Sequence, residues 1–179
     1  MIFKLIATVL LLPLFSFTAT NDGSSIPWSA SRRLNWSDFK SRPDNNSTNA
    51  ALTSSKITFN YSYGSEKGFS FAIACEFDNQ KSWGKIKTDY ILSHEQGHFD
   101  IAEIYARKLY KALKSYSFNE RLAKKEIPSM YDKIMKEESD LQNQYDSETN
   151  FSRDKQQQAA WLLRIQRELD KLKEFADYH

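Results

Sequence analysis

Two runs of alternating hydrophobic and polar residues predict a β-hairpin in the first half of the chain. The hydrophobic positions of the first run are Ile57, Phe59, Tyr61 and Tyr63, and those of the second are Phe69, Phe71, Ile73, Cys75 and Phe77. Residues two positions apart share one face of a strand. The pattern therefore predicts two antiparallel strands with one buried face, joined by a turn over residues 64–68.

The second half of the chain has a helical period. Hydrophobic residues recur every three or four positions over residues 90–113, which predicts a long amphipathic helix. On a helical wheel of this segment, charged side chains share one arc, which we expect to face solvent. The members of this arc are Asp100, Glu103, Arg107, Lys108 and Lys111. The opposite, apolar arc should be buried.

Two further helices are predicted after this one. Pro128 suits the first turn of a helix, and the side chains that follow it form an apolar stripe that also carries Glu138. The apolar members of the stripe are Tyr131, Ile134, Leu141 and Tyr145. The last helix should run over about residues 152–175, with an apolar edge of Trp161, Ile165, Leu169 and Leu172.

The segments between these elements are short or polar. Residues 34–39 should form a short helical turn, residues 42–49 and 78–84 should be loops, and residues 21–27 should be a disordered arm. A sheet followed by helices predicts an α+β fold, with an N-terminal antiparallel hairpin and a helical C-terminal half centred on the long helix. The length of 28–179 fits a single domain.

The chain opens with the features of a secretory signal peptide. A short basic start that ends at Lys4 is followed by an apolar run over residues 5–17, and small residues near Ala19 suit a cleavage site. We expect residues 1–20 to be removed, with an uncleaved N-terminal anchor as the alternative. Because no cysteine directly follows the apolar run, lipid attachment at the N-terminus is not expected. The mature protein should be secreted or periplasmic and not embedded in a membrane.

Composition excludes some classes of function. The formal net charge is +2, and basic and acidic residues are interleaved along the chain, so no nucleic-acid-binding surface is expected. Cys75 is the single cysteine, so it cannot form a disulfide within the chain. Its apolar neighbours predict a small, buried side chain.

The long helix carries the candidate chemistry, in the sequence His94-Glu95-Gln96-Gly97-His98. Two histidines four residues apart lie one turn apart on the same face of a helix, where both can bind one metal ion, and zinc suits them best. Glu95 projects to the side of the pair, where it could act as a general base on a metal-bound water. Both histidines fall on the apolar arc, and buried imidazoles need partners for their ring nitrogens. A pair of structural histidines in a helical interaction module is the alternative.

Gly97 lies inside the same helix, where glycine costs about 1 kcal/mol relative to alanine. We expect another part of the backbone or a substrate to approach this position closely. Simple tolerance of the glycine is the alternative.

The motif and its surroundings resemble a known family. Residues 92–103, Leu-Ser-His-Glu-Gln-Gly-His-Phe-Asp-Ile-Ala-Glu, are similar to the hallmark of a domain-of-unknown-function family of secreted bacterial proteins described as zinc-dependent proteases. Shorter matches follow the same order, at residues 34–39, at Ser82-Trp83 and at residues 145–149 with Gln157 and Trp161 after them. The resemblance implies a zincin-like metallopeptidase that acts on a peptide or protein substrate. It also implies Zn2+ bound by His94 and His98, with Glu95 as the catalytic residue.

One position departs from the family pattern. The family continues Tyr-Asp-x-x-Thr-x-His, which would place a third histidine ligand at position 151, and this chain has Phe151. Asp146, Glu148 and Glu138 are candidate replacements, or the third ligand is absent. We therefore expect a secreted zinc metallopeptidase, with a catalytically impaired homologue that binds a partner as the alternative. A missing ligand also predicts weak zinc binding that Phe151→His would strengthen.

Overall fold

The computed structural model describes residues 23–64 and 68–178 and has an α+β architecture, as predicted. The predicted leader over residues 1–20 lies outside the described residues. The strands are β1 (Ser25–Pro27), β2 (Ala51–Leu52), β3 (Ser55–Gly64), β4 (Gly68–Asp78) and β5 (Trp83–Gly84). The helices are α1 (Asp89–Lys114), α2 (Glu120–Glu148) and α3 (Lys155–Lys171), with short 3-10 turns at Trp36–Asp38 and Lys173–Phe175.

Strands β3 and β4 form the predicted hairpin. They pair antiparallel, with Ser55 opposite Phe77 and Gly64 opposite Gly68. Their hydrophobic residues share one face, since the register places all of them except Phe77 opposite another hydrophobic residue, as with Ile57 and Cys75. This face packs against α1, and Cys75 is fully buried, as predicted.

Strand β1 adds to the other edge of β4, so the strand order is β1-β4-β3. Ser25 pairs with Asp78 and Pro27 with Glu76. The prediction of a disordered arm over residues 21–27 is therefore wrong for β1. A three-residue strand is too short to show an alternating pattern, and it is held by its partner strand and by Ile26, which packs against the core. Proline is tolerated here because β1 lies at the edge of the sheet.

Strands β2 and β5 form a separate two-stranded sheet, so the loop predicted over residues 78–84 is wrong for β5. Ala51 pairs with Gly84, and Leu52 pairs with Trp83. The Trp36–Asp38 turn packs beside them, and a Cβ at Gly84 would lie only 2.6 Å from the ring of Trp36. This turn confirms the helical turn predicted over residues 34–39. It begins at Asn35, whose side chain accepts a hydrogen bond from the backbone N–H of Ser37.

Helix α1 contains both histidines and packs against the sheet, α2 and α3. The expectation that its charged arc faces solvent is wrong for Asp100, Glu103 and Arg107, which are buried. Residues near the two ends of the described part of the chain cover this arc. Near one end, Trp28 donates a hydrogen bond to Asp100, and near the other, Tyr178 donates one to Glu103. A helical wheel shows which residues share a face, but it cannot show what the distant ends of the chain cover.

Helix α2 begins at Glu120, well before the predicted start, so Pro128 lies inside it. The side chain of Asn119 caps the first turn, and Ala123 and Ile127, four residues apart, bury the added turns against the core. Proline removes the hydrogen bond to the backbone oxygen of Lys124. Lys124 is exposed, so water can satisfy that oxygen.

Helix α3 and the turn after it confirm the predicted last helix. Its predicted apolar edge is buried at Trp161, Ile165, Leu169 and Leu172. This edge packs against α1 within the domain. Among the described residues, none of the helices combines the length and the hydrophobicity that a membrane crossing requires.

Candidate metal centre

Three side chains from α1 and α2 converge on one point. The Nε2 atoms of His94 and His98 lie 3.2 Å apart, and Oδ1 of Asp146 lies 3.1 Å from the first and 3.0 Å from the second. His94 is buried and His98 is partly buried, in agreement with their place on the apolar arc. These three residues could hold a metal ion.

Of the three carboxylates considered as a third ligand, Asp146 is the one that lies with the histidines. Glu148 is exposed and accepts hydrogen bonds from Trp161 (2.8 Å) and Gln144 (2.7 Å). Glu138 lines the same cleft as the histidines, but its carboxylate accepts a hydrogen bond from Gln142 of α2. The group that could hold a metal therefore consists of two histidines and one aspartate.

The spacing of the three atoms fits a zinc ion. Ligand atoms about 2.0 to 2.1 Å from a tetrahedral zinc lie about 3.3 Å from one another. The three atoms here are separated by 3.0 to 3.2 Å. Two imidazole nitrogens and one carboxylate oxygen also form a donor set that zinc hydrolases use, with a fourth position left for water. All three residues line one cleft, from which a fourth ligand could enter.

Gln142 fixes the position of the proton on His98. Its side-chain nitrogen donates to the backbone oxygen of His98 (3.0 Å) and to Glu138 (2.8 Å), so its oxygen is the atom that lies 2.6 Å from Nδ1 of His98. Because this oxygen can only accept, Nδ1 carries a proton, and Nε2 is the ring nitrogen that faces Asp146 and is left to bind a metal. Sequence reasoning missed Gln142. Its position four residues before Asp146, on the same face of α2, is the signal that could have identified it.

We expect Gln142→Leu to lower the affinity for zinc by about 10- to 100-fold, because His98 would lose the partner that sets its tautomer and ring orientation. Equilibrium zinc titration in competition with a chromophoric chelator measures this affinity. Gln144→Leu is the matched control, because Gln144 is exposed on α2 and bonds to Glu148. If Gln142→Leu binds zinc as tightly as the native protein, Gln142 does not orient His98.

His94 is oriented by ring stacking. Its ring centroid lies 4.5 Å from that of Tyr145 with an angle of 21° between the planes, and its Nδ1 has no hydrogen-bond partner among the described residues. The hydroxyl of Tyr145 also donates to the backbone oxygen of His94 (3.3 Å). Tyr145 therefore positions His94 directly. It also directly precedes Asp146 in sequence, so both candidate ligands depend on its placement.

The close approach predicted at Gly97 exists, but a side chain makes it and not backbone or substrate. A Cβ at Gly97 would lie 2.5 Å from the hydroxyl oxygen of Tyr145 and 2.9 Å from its Cζ. Both distances are below the normal contact distance for such atoms. Glycine at this position therefore lets Tyr145 reach His94.

The surroundings of Asp146 keep its carboxyl group ionised. Burial alone would raise the pKa of Asp146, but its hydrogen bonds to His94 and His98, together with their charges, lower that pKa far below the usual range. Burial also opposes protonation of His98, but the hydrogen bond to Asp146 and the nearby Glu95 raise its pKa. The centre thus combines an ionised carboxylate with two imidazoles in a partly buried setting.

Glu95 lies beside the three candidate ligands in the wall of the cleft. Its side chain is only 4% exposed, and Oε2 has no hydrogen-bond partner among the described residues. Burial raises the pKa of its carboxyl, and the charges of His98 and His94 offset part of that rise. A carboxylate with an unpaired oxygen and a raised pKa is suited to accept a proton from water.

The cleft around the centre has a volume of about 430 Å³. Helices α1 and α2 supply the histidines and carboxylates of its wall. The rest of the wall consists of residues 49–55, which include β2, together with Phe151 and Ser152. The candidate metal centre is therefore accessible to a molecule larger than water.

Position 151 lies at this cleft, in an unusual turn. Asn150, Phe151 and Ser152 have positive φ angles of 47°, 51° and 66°, which are uncommon for residues other than glycine. The backbone N–H of Phe151 donates to the backbone oxygen of Asp146 (2.8 Å), so the turn is tied to a candidate ligand. Strained backbone of this kind often occurs at functional sites. The residue that replaces the family's histidine thus lines the cleft, while Asp146 completes the donor set.

The other polar residues of the motif hold the N-terminal segment against α1. Oε1 of Gln96 accepts a hydrogen bond from the backbone N–H of Leu34 (2.7 Å), and its Nε2 donates to Asp100 (2.8 Å). Asp100 also accepts hydrogen bonds from Trp28 and Arg33, at 2.9 Å each. These residues position α1, a role that the sequence did not reveal because their partners lie more than 60 positions away.

A family of bacterial proteins matches most of the chain. The match covers residues 17–153, which include the two histidines, Asp146 and Phe151. No curated protein and no solved structure matches the chain. The chain belongs to the family described as bacterial protein of unknown function (DUF922).

Proposed function

We propose that the protein is a secreted or periplasmic zinc-dependent metallopeptidase with a zincin-like fold. The observation that carries the proposal is the approach of His94, His98 and Asp146 to within 3.0 to 3.2 Å of one another, beside Glu95 in an open cleft. The resemblance of the histidine motif to secreted proteases supports the same activity. The apolar leader that resembles a signal peptide supports export.

The chain's own residues would divide the reaction between them. Zinc held by His94, His98 and Asp146 would acidify a water molecule and polarise the carbonyl of a peptide bond. Glu95 accepts the proton that the attacking water loses and transfers it to the leaving amine nitrogen. The raised pKa of Glu95 makes it a stronger base than an exposed carboxylate. Gln142 accepts a hydrogen bond from Nδ1 of His98, which leaves Nε2 as the ring nitrogen that would bind zinc.

A homologue that binds a peptide without cleaving it is the alternative function. Phe151 favours this alternative, because it stands where the family pattern has a histidine. However, Asp146 supplies a third donor next to both histidines. The lack of a histidine at position 151 therefore does not in itself leave the donor set incomplete.

We expect Glu95→Gln to lower the rate of peptide cleavage by about 10²- to 10⁴-fold, because the amide cannot accept the proton. The assay uses purified, zinc-loaded protein and a mixed peptide library, with products identified by mass spectrometry. Glu137→Gln, at an exposed position of α2, is the control, and metal analysis should show that Glu95→Gln retains zinc. Native protein that binds zinc but cleaves nothing in the library would favour the binding function instead.

Bound zinc should also stabilise the folded protein. A ligand at 100 times its dissociation constant adds about 2.7 kcal/mol, which corresponds to a rise of about 5 to 10 °C in Tm for a domain of this size. Thermal unfolding with a chelator and then with excess zinc measures the difference. The double variant His94→Ala/His98→Ala should not respond to zinc. A native Tm that is equally insensitive to both treatments would contradict a metal site.

A further inference from the structure

A second cavity, of about 340 Å³, adjoins the metal cleft. Both cavities are lined by Asn49, Ala50, Phe151 and Ser152, so they lie side by side, and we refer to the two together as the groove. The chain segment 47–55 runs along this groove. Its first two residues line only the second cavity, and its last five line only the metal cleft.

The two parts of the groove differ in charge. The charged side chains that line the second cavity are Lys85 and Arg153, both cationic, whereas the carboxylates are in the metal cleft. Lys85 donates to the backbone oxygen of Ser47 (2.5 Å), and Arg153 donates to that of Thr48 (3.0 Å). Within residues 23–64 and 68–178, neither cation forms an ion pair with a carboxylate. Lys85 also lies over the ring of Trp83 (5.4 Å), and Arg153 also donates to the backbone oxygen of Asn150 (3.3 Å). All these partners are uncharged, so the positive charges can attract an anionic ligand.

Exposed apolar side chains are concentrated along the same groove. Leu52 lines the metal cleft, Ile86 lines the second cavity and Phe151 lines both. They are three of the six large hydrophobic residues that are exposed in the described part of the chain. Exposed apolar groups gathered at one groove indicate a binding surface. A ligand that fits here has apolar side chains near a carboxylate.

We propose that the groove binds an extended peptide whose carboxylate occupies the second cavity and whose large apolar side chain contacts Phe151. This inference rests on the proposed peptidase function and names its substrate class. Thr53 marks the metal end, because its hydroxyl donates to the backbone oxygen of Glu95 (3.1 Å), and Asn49 marks the boundary with the second cavity. Asn49 and Thr53 are four positions apart, and an extended strand rises by about 3.3 Å per residue, so this segment spans at most the length of about four extended peptide residues. The carboxylate should therefore lie about four positions from the cleaved bond.

Matched peptides test this specificity. One fluorogenic pair has glutamate or glutamine four positions from the cleaved bond, placed on either side of it. A second pair ends at the same distance in a free carboxylate or an amide, which separates a side-chain carboxylate from a C-terminal one. We expect kcat/KM to be about tenfold higher for the carboxylate member of at least one pair, because guanidinium and ammonium groups form charge-assisted hydrogen bonds.

Variants of the two cations identify the source of the preference. Lys85→Gln/Arg153→Gln should abolish the preference for carboxylate, whereas Lys85→Arg/Arg153→Lys keeps both charges and should retain it. The charge-retaining variant is necessary because both cations also bond to backbone oxygens, and thermal unfolding checks that each variant folds. Lys124→Gln, at an exposed position that lines neither cavity, is the control. Equal kcat/KM within both pairs, or a preference that survives in the glutamine variant, would overturn the inference.

A failure of the proposed function gives a different result. If the native protein cleaves none of these peptides, the peptidase proposal fails, and binding then decides the specificity. Fluorescence anisotropy measures binding of the same peptides to zinc-loaded Glu95→Gln. Tighter binding of the carboxylate peptides that is lost in the added Lys85→Gln/Arg153→Gln background would support the inference. Equal binding within both pairs would overturn it.

Discussion

Asp146→Asn is expected to lower the affinity for zinc by about 100-fold or more. The amide oxygen that replaces the carboxylate is neutral, and a carboxylate is a much stronger ligand for a divalent cation. The substitution also removes the negative charge that lies 3.0 to 3.1 Å from both histidine nitrogens. Zinc titration against a competing chelator measures the loss. Asp132→Asn, at an exposed position of the same helix, should leave the affinity within about twofold.

The same titration distinguishes Asp146 from position 151. The sequence predicted that Phe151→His would strengthen zinc binding by restoring a missing ligand. Because Asp146 lies with both histidines, we now expect Phe151→His to change the affinity by less than about tenfold in the native background. In the Asp146→Asn background, Phe151→His should restore binding if its imidazole can reach the metal. Native affinity in Asp146→Asn would show that the third ligand lies elsewhere.

The sequence predicted secondary structure best where a local pattern of hydrophobic and polar residues determines it. The hairpin follows from alternation over two strands, and the register confirms that its hydrophobic residues share one face. The errors concern residues whose environment is set by distant segments. Asp100 and Glu103 are polar on the wheel but buried in the fold, because Trp28 and Tyr178, far from them in sequence, cover them. Pro128 was placed at a helix start because its local preference is strongest there, whereas Ala123 and Ile127 bury an earlier turn.

The candidate site divides in the same way. His94 and His98 could be identified from the sequence because they lie one turn apart on one helix. Asp146 is 52 positions from His94, and no local spacing connects the two. Glu148 is the closer of the two in sequence to position 151, at three positions against five for Asp146. Two positions on a helix correspond to about 200°, so the two carboxylates face opposite sides. The rotation of α2 about its own axis decides which of the two carboxylates faces α1. That rotation is set by the packing of the two helices.

Tyr145 of α2 packs directly against Gly97 of α1, and Gly97→Ala should therefore destabilise the protein. In an exposed helix this substitution would stabilise by about 1 kcal/mol. Here the new Cβ would lie 2.5 Å from the hydroxyl of Tyr145, and overpacking of a buried position costs about 1 to 3 kcal/mol. Tyr145 is fully buried against His94 and Trp161, so its ring has little room to move. We expect a net loss in the free energy of unfolding, measured by denaturant titration of the zinc-free protein.

This prediction is easy to test, because the effect of Gly97→Ala on the free energy of unfolding should be opposite in sign to its effect in an exposed helix. Gly64→Ala is the control, because a Cβ there would meet no atom of the described residues within 4 Å, and its effect should stay within about 0.5 kcal/mol. Adding Tyr145→Phe to Gly97→Ala removes the nearest clashing atom and should recover part of the stability, which a double-mutant cycle quantifies. Gly97→Ala that is more stable than the native protein would show that Tyr145 moves aside without cost. Tyr145 stacks on His94 and adjoins Asp146, so a clash at Gly97→Ala should also disturb the candidate ligands. We therefore expect the affinity for zinc to fall by about tenfold together with the stability.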